Sequence, residues 1–170
     1  DTDIIYLRNR LWKNYLVTLL TSQGIPMLLM GDEYKRSQEG NNNTWCLDTQ
    51  KNWFRWDLVE KRQDCINFYK KIIQLRKEHP VFKHPHFLGK DEVKWCNSEG
   101  KKINWGEEKG FLGCFIKEYY LAFHVGHKPI EMTPPENSEW SVYLYTQSHL
   151  SSELPYTMDP YSIILLKKQV

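Results

Sequence analysis

The chain has 170 residues, of which 41% are hydrophobic, 26% charged and 14% aromatic, and its formal net charge is +2. This composition is typical of a globular protein with one ordinary domain or two small ones. A charge so close to neutral gives no support for a nucleic-acid or anionic-membrane partner. No apolar run approaches the roughly 20 residues that cross a bilayer.

The first predicted element is a helix. Apolar side chains between residues 4 and 20 recur at spacings of three and four, which predicts an amphipathic helix capped by Thr2 or Asp3 and ended by Gly24. The uninterrupted apolar run from Ile25 to Met30 follows, and such a run predicts a strand buried on both faces of a parallel sheet. A helix, a glycine, a buried strand and a polar loop together form one step of an α/β barrel.

The next stretch, residues 57–78, predicts a second helix that Asp57 caps and that His79 and Pro80 end. From about residue 85 the pattern changes to short β-rich segments separated by turn residues, which is typical of a small antiparallel sandwich. The predicted strands run from Val93 to Cys96, Phe111 to Ile116, Tyr119 to Phe123, Ser141 to Tyr145 and Ser162 to Leu166.

These elements predict a fold of the α/β plus β class. Residues 1–84 would be the C-terminal end of a (β/α)8 barrel, a terminal αβα step that is incomplete because a barrel needs eight strands. Residues 85–170 would form an antiparallel β-sandwich C-terminal domain. The sequence opens at Asp1 in place of a Met and enters a helical pattern almost at once, so we expect it to belong to a longer protein.

The four cysteines are widely spaced and contain no C-x-x-C pair, so neither a zinc site nor a dense disulfide framework is predicted. Reduced and mostly buried thiols are the default expectation, including for Cys46. His124 and His127 lie three residues apart without an evident third ligand, so we interpret both as surface or loop residues. No metal site and no nucleotide or flavin cofactor is predicted.

The most informative stretch is SQGIPMLLMGDEYKRSQEGNNNTWCLDTQKNWFRW, from Ser22 to Trp56. The predicted strand runs into the acidic pair Asp32 and Glu33, and then into a long polar and aromatic loop. A strand that ends in such a loop is how α/β barrels build the wall of a binding cleft.

In order, GIPMLLMGDEY, GNNN, C-x-D and NWFRWD resemble the last barrel strand and the following loop of isoamylase-type debranching enzymes, which belong to the α-amylase superfamily of glycoside hydrolases. The resemblance implies a retaining hydrolase that cleaves α-1,6 branch points of glycogen, amylopectin or limit dextrins. It also implies that the catalytic carboxylates lie upstream of Asp1. We therefore expect no catalytic residue in this chain, and no activity from it alone.

The resemblance and the residue types together select a set of substrate-binding or supporting residues. Asp32 and Glu33 in an extended segment would point to opposite sides, so both could not reach one glycosidic bond. The resemblance implies that Glu33 holds neighbouring polar groups. Tyr34 and Trp45 are the aromatic residues expected to face a cleft. The asparagines offer amides for sugar hydroxyls, but turn chemistry remains an equal alternative. The full set is Asp32, Glu33, Tyr34, Asn41, Asn42, Asn43, Trp45 and Asp48.

Two positions depart from the family pattern: Lys35 stands where a small Gly is usual, and Tyr145 precedes Thr146 where an Asp is more common. Two alternative functions stay open: a non-catalytic glucan-binding or scaffold relative, and a superfamily branch that acts on α-1,4 links. The expected partner is a branched α-glucan, with no nucleic acid and no membrane, and assembly with like or unlike debranching subunits stays open. The expected location is intracellular, plastidial in a plant or alga and otherwise cytoplasmic.

Overall fold

The computed structural model describes residues 1–107 and 109–169. The chain divides into two compact units, one of residues 19–83 and one of residues 1–18 with 84–170. Within the described residues, no helix is both long and apolar enough to span a membrane. The helices and strands are α1 (Thr2–Thr21), α2 (Trp56–Lys61), α3 (Gln63–Glu78), β1 (Val93–Cys96), β2 (Phe111–Ile116), β3 (Tyr119–His124), β4 (Ile130–Met132), β5 (Trp140–Tyr145), β6 (Tyr156–Met158) and β7 (Ser162–Lys168).

Both predicted helical stretches are helical, with corrections at their ends and at Arg62. Thr2 and Asp3 lie inside the first helix and do not precede it, and this helix ends at Thr21, before Gly24. A helix covers the first predicted stretch, and the Asp1 carboxylate accepts the backbone N–H of Asp3 at 3.1 Å. The second predicted helix is two helices, because Arg62 between α2 and α3 leaves the helical region at φ −121 and ψ 44. Asp57 lies in the first turn of α2 and does not cap it.

The predicted strand at residues 25–30 is wrong for the chain as it stands. This segment has no regular secondary structure, and the side chains of Ile25 and Met27 are 98% and 88% exposed. A strand needs a hydrogen-bonded neighbour, and none of the described residues pairs with this segment. The continuous apolar run predicts burial on both faces, but the described residues do not cover this segment.

The unit of residues 1–18 and 84–170 is built on a five-stranded antiparallel sheet of order β1-β2-β3-β7-β5. All five predicted strands are present, with ends that differ by two residues at most. A second sheet pairs β4 with β6, and sequence reasoning missed both strands because each is three residues long. The mixed α and β composition is therefore confirmed. The buried hydrophobic core of this unit includes Phe111, Phe115, Tyr120, Met132, Met158, Ile164 and Leu166.

Two side chains of α1 make three hydrogen bonds within this unit. The Arg10 guanidinium donates to the Asp159 carboxylate at 2.9 Å and to the Pro160 carbonyl at 2.7 Å. The Asn14 amide donates to the Tyr161 carbonyl at 2.8 Å. The turn before β7 therefore takes three donors from one face of α1.

The prediction for His124 is wrong, whereas His127 is exposed as expected. His124 lies on β3 and is 3% exposed. Its ring nitrogens lie 3.0 Å from the Gly110 carbonyl oxygen and 2.7 Å from the Lys128 carbonyl oxygen. A buried imidazole is tolerated here because both nitrogens have polar neighbours.

Candidate functional site

The acidic pair forms a tight turn and not an extended segment. Asp32–Tyr34 is a single 3-10 turn, entered through Gly31 at φ 106 and left through Lys35 at φ 57. The Glu33 carboxylate accepts the backbone N–H of Gly31 at 2.8 Å. Glu33 therefore stabilises the turn on which it sits.

The carboxylates of this turn interact electrostatically with Tyr69 on α3, in the same unit. Tyr69 on the buried face of α3 is 8% exposed. Burial raises the pKa of Tyr69 to about 12, with smaller contributions from the charges of Glu33 and Asp32. The phenol stays protonated at any physiological pH, so it faces the acidic pair as a neutral group.

Tyr34 is not a cleft-facing residue. Its side chain is fully buried, its hydroxyl accepts the backbone N–H of Arg55 at 3.1 Å, and the Phe54 ring packs edge-on at 5.0 Å between ring centroids. The ring therefore fastens the NWFRW segment to the acidic turn. Because both its faces and its hydroxyl are occupied, stacking of Tyr34 on a sugar is excluded in this conformation.

A second fastening comes from Arg62, at the break between α2 and α3. Its guanidinium donates to the carbonyl oxygens of Tyr34 at 2.7 Å and Lys35 at 2.9 Å. Lys35 has the left-handed backbone that glycine adopts without strain, which explains why a glycine suits this position. Arg62 was not selected from the sequence, and its place at a helix break is visible in the structure alone.

The asparagine run combines turn chemistry with one free amide. The Asn41 side-chain oxygen accepts the backbone N–H of Asn43 at 2.9 Å, and the Asn43 oxygen accepts that of Trp45 at 3.2 Å. Asn42 is exposed, and its amide has no hydrogen-bond partner within the described part of the chain. Turn formation therefore accounts for two of the three asparagines and leaves the middle one unexplained.

In the rest of the loop, side chains hydrogen-bond the backbone, and the Trp45 side chain is exposed to solvent. Asn52 donates to the carbonyl oxygens of Thr44, at 2.7 Å, and Leu47. The Asp48 carboxylate accepts the Trp53 indole N–H at 2.9 Å, so this carboxylate is already engaged. Trp45 is 92% exposed. The loop thus presents an indole face to solvent on a backbone that its own amides hold.

Cys46 corrects a further expectation, because this thiol is exposed. The other three cysteines are buried as predicted. Burial raises the pKa of Cys65 and of Cys96, and it raises the pKa of Cys114 to about 12. Those three thiols are inert, whereas Cys46 is accessible to reagents.

Curated relatives share substantial sequence with the chain. It is 35% identical over 158 residues to a chloroplastic isoamylase of Zea mays, covering 88% of this chain and 20% of the relative. It is 32% identical to chloroplastic isoamylase 3 of Oryza sativa, covering 98% and 23%. It is 40% identical over 126 residues to a glycogen operon protein GlgX homolog of Mycobacterium tuberculosis, covering 67% and 17%. The chain thus spans about a fifth of the length of these relatives.

Solved structures share its fold. A crystal structure of pullulanase from Anoxybacillus in complex with maltotetraose superposes with a TM-score of 0.74 at 19% identity, covering 97% of this chain and 24% of that one. Pullulanase from Bacillus acidopullulyticus gives a TM-score of 0.73 at 19% identity, covering 95% and 20%. No protein-family profile matches the chain. The ordered motifs and these relatives together show that the chain belongs to the isoamylase-type debranching enzymes of the α-amylase superfamily, and its partial coverage fits their C-terminal part.

Proposed function

We propose that this chain is the C-terminal part of a hydrolase that cleaves α-1,6-glucosidic branch points of glycogen, amylopectin or limit dextrins. The observation that carries the proposal is the loop of residues 40–48, where a free amide on Asn42 lies three residues from the exposed indole of Trp45. Sugar binding needs hydrogen-bonding groups for hydroxyls and flat apolar faces for rings. The loop offers one of each on a backbone that the Asn41 and Asn43 side chains hydrogen-bond.

The proposal assigns the remaining site residues to support. Asp32 and Glu33 hold the acidic turn beside Tyr69, Tyr34 fastens the segment that follows, and Asp48 orients Trp53. Asn41 and Asn43 hold the loop backbone, so Asn42 and Trp45 remain for the glucan. No carboxylate of this set is assigned to bond cleavage.

For the fold, the proposal makes residues 25–30 the last strand of a (β/α)8 barrel and residues 85–170 a sandwich domain. Supporting this, Ile25, Met27, Leu29 and Met30 are all more than half exposed. Exposed apolar patches of this kind indicate a surface that another part of a protein covers. In the complete protein, the neighbouring barrel strands would do so.

The proposal places catalysis outside this chain. The isolated 170 residues should therefore release no reducing sugar from amylopectin, because a glycosidase of this kind needs two carboxyl groups across the scissile bond. Reducing-sugar release should instead require the full-length protein. Appreciable release by the isolated chain would contradict the assignment.

The loop is tested in the full-length protein with a pair of neighbouring asparagines. Asn42→Ala removes an unpartnered amide, so it should lower turnover of amylopectin roughly tenfold, about 1.4 kcal/mol of lost transition-state binding, and leave the thermal midpoint unchanged. Asn41→Ala is the matched control, because its oxygen holds the turn at Asn43. It should lower the thermal midpoint.

The outcomes also separate the alternatives. If Asn42→Ala and Asn41→Ala lose stability and turnover in parallel, the run is turn chemistry alone. A full-length protein that binds amylopectin without releasing reducing sugar would be a scaffold relative, and one that prefers linear α-1,4 chains would belong to another superfamily branch. We further propose a plastidial location for a plant or algal protein and a cytoplasmic one otherwise, following the chloroplastic and bacterial relatives.

A further inference from the structure

The segment that leads into β1 brings together two histidines and a glutamate. The nitrogens of His84 and His86 and a carboxylate oxygen of Glu92 all lie within 4.8 Å of one another. The two imidazole rings contact edge to face, with centroids 4.2 Å apart at an interplanar angle of 87°. All three residues belong to the same compact unit.

His84 gives an independent indication that the cluster is a site. Its Nδ1 atom is buried and has no hydrogen-bond partner within the described residues. A buried polar atom without a partner costs free energy, on the order of 1–3 kcal/mol. An ion bound at this nitrogen would remove that cost.

Glu92 is already oriented for the role. One of its carboxylate oxygens accepts the backbone N–H of Gly89 at 2.8 Å, and its own backbone N–H donates to the Gly89 carbonyl at 3.1 Å. These two hydrogen bonds close a short turn that holds the side chain, while the second carboxylate oxygen stays available. Glu92 also lines a cavity of about 410 Å3, and the neighbouring residue Asp91 lines the same cavity.

We propose that His84, His86 and Glu92 bind a divalent transition metal of the zinc class. Two imidazoles and one carboxylate suit zinc, cobalt or nickel, whereas magnesium and calcium take oxygen ligands. Tetrahedral zinc with ligands at about 2.1 Å needs donor atoms roughly 3.4 Å apart. The donor atoms lie within 4.8 Å of one another, so the exposed side chains of His86 and Glu92 need to close on the part-buried His84 by at most about 1.4 Å. Water from the adjacent cavity fills the fourth position.

The bound ion would cross-link the two ends of residues 84–92, the segment that precedes β1. Metal that binds the folded state and not the unfolded one raises thermal stability by mass action. Zinc should therefore raise the thermal midpoint of the purified protein, and above the dissociation constant the rise should follow the logarithm of the zinc concentration. This effect is independent of glucan hydrolysis.

The test is a titration of the purified protein with zinc by calorimetry and with cobalt by visible absorption, on a Cys46→Ser background that removes the exposed thiol. We expect one ion per chain at this site. His86→Ala and Glu92→Gln should each weaken binding at least tenfold, and Glu92→Gln keeps an oxygen for the Gly89 N–H. His149→Ala is the matched control, since His149 is exposed and lies outside the cluster, and it should bind as the parent does.

A readout of coordination guards against mere surface binding. Four-coordinate cobalt should give intense visible bands that both cluster variants lose, and zinc should no longer raise their thermal midpoint. Unchanged affinity in both cluster variants would overturn the proposal, as would equal weakening by His149→Ala. Absence of any binding to the parent would overturn it as well.

Discussion

Tyr69 is a buried phenol whose pKa is raised by its surroundings. Burial, followed by Glu33 and Asp32, raises its pKa to about 12, whereas tyrosine in an unfolded chain ionises near ~10. Below ~10 both states keep the proton. Between these values only the unfolded state releases it, so stability falls as pH rises through this window.

Tyr69→Phe isolates this effect. We expect urea unfolding of the purified protein to show a loss of stability from about pH 10 to 12 that is smaller in Tyr69→Phe, because that variant has no proton to release. All other alkaline titrations are common to both proteins. An identical pH slope in the two would show that Tyr69 is not held in its neutral form.

At the same scale, the site was partly predictable from its residues. The Asn-rich run predicted turn chemistry, and Asn41 and Asn43 hold turns, but which amide stays free depends on backbone geometry. Residue type favoured exposure for Tyr34 and burial for Cys46, and both are reversed. Burial of a single loop residue depends on distant partners such as the Arg55 N–H, which a local pattern does not contain.

Among the elements of the unit of residues 19–83, α3 orders the chain that leaves α1. The Arg76 guanidinium donates to the carbonyl oxygens of Leu20 and Ser22 at 2.8 Å each and also to that of Gly24. Burial lowers the pKa of Arg76, but the group remains a cation. One side chain thereby satisfies three carbonyls where α1 ends.

Arg76→Ala should destabilise the purified protein by about 2 kcal/mol, because charge-assisted hydrogen bonds to backbone oxygens are lost. The stability of Arg76→Lys should lie between those of the unsubstituted protein and Arg76→Ala, since an ammonium lacks the planar fork of the guanidinium. Lys77→Ala is the control, being an exposed cation on the same helix. Chemical unfolding measures all three, and equal losses in Arg76→Ala and Lys77→Ala would remove the structural role of the guanidinium.

Elements were predictable where the chain supplies their partners. The strands of the five-stranded sheet pair with one another, so their alternating or apolar patterns corresponded to real burial. Residues 25–30 carry an equally strong pattern and form no strand. The break at Arg62 left no mark in the helical period, because a single non-helical residue keeps apolar spacing nearly intact.

For the whole molecule, the exposed apolar segment distinguishes the chain from the longer protein we propose. Met27 is 88% exposed, so Met27→Lys should change the stability of the isolated chain by no more than about 0.5 kcal/mol. In the full-length protein, the proposed barrel strand would be covered on both faces, so the Met27 side chain would be buried. An unpaired charge there should cost several kcal/mol, roughly 4 or more.

The test is whether the stability loss caused by Met27→Lys is larger in the full-length protein than in the isolated chain. Val125→Lys is the matched control, because Val125 is 64% exposed and lies outside the proposed strand, so it should be tolerated in both forms. Thermal and chemical unfolding of these four variants and of their two unsubstituted parents gives the stability change of each variant. A large loss confined to Met27→Lys in the full-length protein supports a buried last strand. Small losses in both lengths would show that residues 25–30 stay exposed, and the barrel assignment would fall while the sheet of residues 93–168 would stand.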